Sequence, residues 1–198
     1  QDLAIETGKN TTDIADGLYQ VESAFGDTAD TMKILEIAAK SATAGVATTP
    51  EAIALLSAVT KGYNDTSAEA VMRTSDWALK TVELGQTTFP ELASSIGRVT
   101  STAASMGIKQ EELFATFSSL TGVIGGAAEV STGYAGALRS LQNPTEQMKA
   151  LLKEMGIESG TAMLKMYGQQ KTFEIIAAAA KATKQPLQAF IAESGGAA

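Results

Sequence analysis

The chain has 198 residues, 15 Lys and Arg against 22 Asp and Glu, a formal net charge of −7, and neither Cys nor His. That removes disulfide scaffolds, Cys/His zinc sites, thiol catalysis and any Ser-His-Asp or Cys-His arrangement. An acidic chain also lacks the clustered cations that displace counterions from nucleic acid, so no direct nucleic-acid binding is expected of it.

What remains is an alanine-rich chain, with 34 Ala, 18 Gly and 4 Pro. It is long enough for one domain with a real core, or at most two small ones. It opens at Gln1 rather than Met, in a helical pattern (Leu3-Ala4-Ile5-Glu6), and reads as a piece of a larger protein. No basic stretch leads into an apolar core, so no signal peptide is expected. No apolar run approaches the roughly 18 to 20 residues that span a bilayer.

Gly and Pro punctuate segments of about 12 to 18 residues, a normal helix length. Each segment carries an apolar stripe at helical spacing. Ile14, Leu18, Val21 and Phe25 form the first, and Met32, Leu35, Ala39 and Ala42 the second. Ala52, Leu56, Val59 and Tyr63 follow, then Met72, Ser75, Leu79 and Val82. Leu92, Ile96, Val99, Ala103 and Met106 make the longest stripe, and Leu113, Phe117, Leu120 and Ile124 the last of this series. No strand-length alternation competes with them.

Starts are written at Thr49-Pro50-Glu51, at Thr87-Thr88-Phe89-Pro90-Glu91 and at Asn143-Pro144-Thr145-Glu146, where a cap residue precedes Pro and an acid near the positive end of the helix dipole. Ser67 and Thr12-Asp13 are weaker caps. Gly85, Gly107 and Gly156 are stops. Asp27-Thr28-Ala29 reappears as Asp65-Thr66-Ser67, and Thr48-Thr49-Pro50-Glu51 as Thr87-Thr88-Phe89-Pro90-Glu91, at offsets of 38 to 40 residues. The spacing predicts two-helix units over 12–44, 49–85 and 88–124, as in helical-repeat arrays.

Past residue 125 the texture changes. Gly125-Gly126 opens a small-residue helix with Tyr134, Leu138 and Leu141, and Pro144 starts a short one with Met148, Leu152 and Met155. Glycines break up 156–168, Phe173–Ala182 reads as a helix, and Pro186–Ala192 as a short last one. Ser194–Ala198 reads as a frayed tail. The expected fold is therefore all-α, an array of about 8 to 10 antiparallel hairpin helices without sheet. The hairpin array is placed at 1–125, with shorter helices packing on it over 126–198.

Groups able to do chemistry are few. Without His, a Ser nucleophile would need a Lys base, and Ser41, Ser95 and Ser101 sit in ordinary helix patterns. Glu111-Glu112 falls in a first helical turn, where acids favour the dipole, and Asp13/Asp16 is the other carboxylate pair. No calcium loop, phosphate loop or dinucleotide fingerprint occurs. The expectation is no catalytic residue, no cofactor-binding residue, no metal ligand and no cofactor. Leu113–Ala128 is an uncharged run with Gly-x-x-x-Gly at Gly122 and Gly126. It reads as a buried core helix, with membrane contact as the other reading. Trp77 reads as inter-helix packing rather than a partner anchor.

The stretch Trp77-Ala-Leu-Lys-Thr-Val-Glu-Leu-Gly-Gln-Thr-Thr-Phe-Pro-Glu-Leu-Ala-Ser-Ser-Ile-Gly-Arg-Val99 resembles the core region of phage tail tape measure proteins. Ala103-Ala-Ser-Met-Gly-Ile-Lys-Gln-Glu-Glu-Leu-Phe-Ala115 resembles it as well. Shorter matches are Leu35–Lys40, Ala44–Thr48, Gly62-Tyr63, Ala137-Leu138-Arg139, Asn143-Pro144 and Leu152–Ile157. The resemblance covers roughly 1–160 and is sharpest in the middle third.

It implies a non-enzymatic, mostly helical tail component of a phage or prophage that sets tail length and fills the tail tube during virion assembly. It implies the tail tube protein, a tail assembly chaperone and further copies of itself as partners. Its location would be the virion tail, and the host cytoplasm during assembly. A ruler works by extended length, about 1.5 Å per helical residue, whereas a chain interrupted this often folds back on itself. Its Gly and Pro breaks are then expected to act as hinges. The alternatives are a generic helical-repeat interaction scaffold and a membrane-active helical domain aiding DNA delivery.

Overall fold

The structure, a computed structural model, describes residues 2–191. Those residues form eleven α-helices: α1 (Asp2–Thr7), α2 (Thr11–Phe25), α3 (Thr31–Ala44), α4 (Thr49–Gly62), α5 (Ala68–Leu84), α6 (Phe89–Ser95), α7 (Gly97–Ser105), α8 (Gln110–Leu120), α9 (Ala127–Gln142), α10 (Glu146–Glu154) and α11 (Gly160–Thr183). A 3-10 turn, Leu187–Ala189, follows. No strand or sheet occurs among the described residues; a single isolated bridge pairs Thr121 with Gly125. The fold is all-α as expected. The helix count exceeds the expected range because the short α1 stands alone and the fifth stripe is divided into α6 and α7 at Ile96. That stripe still runs through the division, with Leu92, Ile96, Val99, Ala103 and Met106 all buried.

Local chemistry sets the helix ends. Thr48 and Thr88 each accept the N–H three residues on, while Glu51 and Glu91 reach back to accept the Thr48 and Thr88 N–H groups at 2.8 and 2.9 Å. These are capping boxes. The first lies one residue earlier than the sequence implied, because Thr49 is already helical and Pro50 sits at the second helical position. At α10 the cap is Thr145, not Asn143; its hydroxyl accepts the Met148 N–H at 3.2 Å. Asn10 caps α2 through the Asp13 N–H, and Ser67 caps α5.

The C-termini of α3, α4, α7, α10 and α11 share one closure. A residue at positive φ donates to the third carbonyl before it, and its successor donates to the fifth carbonyl before itself, as Gly107 and Ile108 do to Ala104 and Ala103 at 3.0 and 3.1 Å. This is the Schellman motif. Gly107 and Gly156 fill the left-handed position at φ 82° and 68°. Val46, Asn64 and Lys184 fill it in the other three, at 52°, 56° and 55°, and no sequence signal marked them.

The helices stack in two layers. In one, α2 packs on α4, α4 on α6 and α7, and these on α9; in the other, α3 packs on α5 and α5 on α8. Each helix therefore meets the one a hairpin further along. One hydrophobic cluster runs from Val21 in α2 to Phe190 beyond the 3-10 turn, with Phe89, Phe114 and Phe117 its largest fully buried side chains.

Several sequence expectations change. Leu113–Ala128 is not one helix: α8 ends at Leu120, the chain turns through 121–126, and Val123 and Ile124 are 79% and 56% exposed. Gly122 and Gly126 thus face no helix groove. In α5 the buried face is Ala68, Val71, Thr74, Ser75, Ala78 and Thr81. Met72 is exposed, and Trp77 is 41% exposed rather than packed between helices. The small face wins because it lets α3 and α8 approach closely. The helix read as Phe173–Ala182 belongs to α11, which begins at Gly160 and breaks at Gly168 (φ 74°, ψ 169°). The last helix shrinks to the 3-10 turn, and the frayed-tail reading of Ser194–Ala198 lies outside the described residues.

No single helix among the described residues is long and apolar enough to cross a membrane. The α3–α4 pair reaches that length and composition only together, bent by 114°, and their apolar faces are buried in the core.

Two substitutions test this architecture by thermal or urea unfolding. A Cβ on Gly160 would lie 2.3 Å from the Leu141 carbonyl oxygen, a backbone atom unable to yield. Gly160→Ala is expected to destabilise by about 1–3 kcal/mol. Val46 is 88% exposed, so its side chain buries little while its β-branch strains a left-handed residue. Val46→Gly is expected to stabilise by about 0.5–1 kcal/mol, the relief exceeding the entropy cost of glycine.

Candidate functional site: an open cleft walled by α8, α9 and α11

The residues weighed for chemistry are separated and occupied. The Ser41 hydroxyl is buried, bonded to the Ile37 carbonyl and to Ser75 Oγ, both at 2.6 Å. Ser95 donates to the Glu91 carbonyl at 2.6 Å, and Ser101 is exposed on α7. Asp13 accepts the Thr49 N–H at 3.2 Å and the Thr49 hydroxyl, tying α2 to the start of α4; Asp16 is exposed. Glu112 accepts the Lys109 N–H at 2.9 Å. Lys109 has no side-chain acceptor, so the second half of a capping box is missing, and the Lys109 N–H occupies one Glu112 oxygen. No group of three Asp or Glu among the described residues is placed to hold a metal ion.

A cleft of about 1060 Å³ lies between α8, α9, α11 and the 3-10 turn. Its walls are mainly apolar: Leu120, Ile124, Ala137, Phe173, Leu187 and Ile191. A polar chain crosses its floor. The Tyr134 hydroxyl bonds the Gln169 side-chain oxygen, and the Gln169 amide donates to Thr116 Oγ1 at 2.6 Å. These three residues join α9, α11 and α8. Glu112 is the one charged residue among the described residues that line the cleft.

Burial pushes the Tyr134 phenol above its ordinary range. Burial does the same to Tyr63 at the end of α4, reinforced by the negative charges of Glu111 and Glu112. The Tyr63 hydroxyl is enclosed without a protein partner. In the sequence Tyr134 and Tyr63 stand on helical stripes, Tyr63 also in a short family match, and neither position marks the cleft. The helical spacing of Glu112, Thr116 and Leu120 held the signal for its α8 wall.

The described residues thus form an all-α array of capped helices with an open, mainly apolar trough along α8. The chain belongs to the phage-related minor tail protein family, whose sequence model matches residues 1–194. No curated protein and no solved structure matches it. It is a phage tail protein of structural type.

The two tyrosines give a stability test. Tyr134→Phe strands the Gln169 oxygen and is expected to cost about 1 kcal/mol, while Tyr63→Phe loses no protein hydrogen bond and is expected to be near neutral. Both phenols bind their proton more tightly when folded. Their contribution is therefore complete below the unfolded tyrosine pKa of about 10 and is lost as pH rises above it. Melting temperature is expected to fall progressively as pH rises above about 10, towards the raised folded-state values, and each Phe variant to shallow that fall.

Proposed function

We propose that this chain is a segment of a tape measure protein, which sets tail length and fills the tail tube while the virion assembles. The observation that carries the reading is the motif run over 77–115 within a family match spanning 1–194. In the structure that run covers the α5–α6 junction and the α7–α8 junction, with Thr88 and Glu91 forming a cap. It is thus a hairpin-to-hairpin joint rather than a catalytic loop. The tail tube protein, an assembly chaperone and further copies of the chain are its proposed partners. Its place is the virion tail, reached from the host cytoplasm during assembly.

Layered helices are a poor ruler, since stacking spends chain without adding length. The array is the compact form, and the capped joints between its helices are the hinges by which it lengthens in a tube. Caps drawn from their own sequence, as at Thr48/Glu51 and Gly107/Ile108, lower the cost of keeping the helices through that change.

The test is an in-frame deletion of residues 49–85 in the parent phage, with the same hairpin duplicated as a second variant. At about 1.5 Å per helical residue, tails are expected to shorten or lengthen by about 55 Å in electron micrographs. Tails of unchanged length in both variants would refute the ruler role.

A further inference from the structure

The α8 helix leaves one stripe of its surface without a helix packed along it. Glu112, Ala115, Thr116, Ser119 and Leu120 follow the i, i+3, i+4, i+7, i+8 pattern, and all five line the cleft. Earlier in the same layer the equivalent stripes are covered. α5 lies along α3, joined by Ser41 to Ser75, and α8 lies along α5, joined by Gln110 to Thr74 and by the Thr81 hydroxyl to the Phe114 carbonyl at 3.3 Å. The next helix of that layer would lie along α8. Instead α10 packs on α11. α11 reaches α8 through the Gln169–Thr116 bond and stands off far enough to leave the cleft. Among the described residues the slot is thus the unfilled next position of a helical layer, and its α8 wall carries the small residues that the filled positions use.

We propose that this slot receives an amphipathic α-helix from another polypeptide, with aliphatic side chains inward and a Lys or Arg on the edge that meets Glu112. The shape fits helix-in-groove recognition. At about 1060 Å³ the cleft lies at the top of the range of about 300–1,000 Å³ for small-molecule pockets, and it is an open trough. Leu120, Ile124, Phe173, Leu187 and Ile191 form the apolar surface that the helix covers. Charge selects the class of helix. Among the described residues the lining holds one carboxylate and no cation, and the whole chain carries −7. A basic helix is steered in and an acidic one repelled, which disfavours a second copy of this chain. The assignment rests on the cleft and stands apart from the tail-length reading.

The test uses the 198-residue chain and fluorescein-labelled 14-residue peptides, read by fluorescence anisotropy. One peptide has Leu and Ala along one helical face and Lys along the other; a second has the same composition scrambled; a third has Glu for Lys. The first is expected to bind saturably, and the other two at least about 10-fold more weakly. Ala115→Trp and, as a second blocking variant, Ser119→Arg fill the trough from exposed positions on α8. Either is expected to weaken binding at least about 10-fold with helicity and melting temperature unchanged. Glu112→Gln keeps an acceptor for the Lys109 N–H and is expected to weaken binding about 3-fold, in the range of exposed ion pairs. Absence of saturable binding by the basic amphipathic peptide would overturn the proposal. So would equal binding by the scrambled or acidic peptide, or undiminished affinity in both blocking variants.

Discussion

Every layer of this molecule depends on one contact: a helix lying against the helix one hairpin further on, through side chains short enough to bring backbones close. The contact recurs at a nearly fixed separation. The Thr43 hydroxyl donates to the Thr7 carbonyl, Thr49 to Asp13, and Ser131 to the Ser95 carbonyl, each across 36 residues. Gln110 reaches Thr74 across the same distance, and the Gln86 N–H reaches Thr121 across 35. Bulkier side chains at these crossings would hold the helices apart, and the buried Thr49 and Ser131 hydroxyls would lose the bonds they make here and incur a desolvation penalty. Ala supplies closeness, and Ser and Thr supply registration. The large apolar residues, Phe89, Phe114 and Phe117 among them, fill the space between the layers.

That division of labour explains which features were legible in the sequence. Caps are local, so Thr88 with Glu91, Ser67, Gly107 and Gly156 could be read directly, as could the stripe from Leu92 to Met106. Where a stripe is judged by the size of its residues, a helix that buries its small face is misread. α5 turns Val71, Thr74, Ala78 and Thr81 inward and leaves Met72 and Trp77 at the surface. The left-handed closures at Val46 and Lys184 were invisible because neither residue prefers that conformation. The Schellman hydrogen bonds of Ala47 to Ala42 and of Gln185 to Ala180 hold it, and Asn64 is the only one of the three with any local tolerance for it. The break after Leu120 was hidden by an apolar run that satisfies a helix template until Gly122 takes φ 82°.

The cleft was hidden for a different reason. It depends on where α10 goes, and α10 has the same periodicity whether it packs on α8 or on α11. No pattern within one helix encodes that choice. Close approach does: Gly160 lies against the Leu141 backbone, which pins the start of α11 to the end of α9. With α10 held between those two points on the α11 side, α8 keeps a bare flank.

Helices of 11 to 17 residues are marginal alone in water, and most of their stability comes from the surface they lie on. Caps lower the cost of keeping such a helix when its neighbour leaves but do not remove it. An array joined through small polar contacts can therefore be opened at modest cost only if each freed helix finds another surface. The same requirement runs in the other direction at α8, where a bare stripe offers a surface to a helix from elsewhere. Lengthening within a tail and capture of a foreign helix would thus draw on one property, interchangeable partners for a small-residue helix face. Glu112 would make the exchange selective, because it favours a helix that places a cation on the edge meeting it.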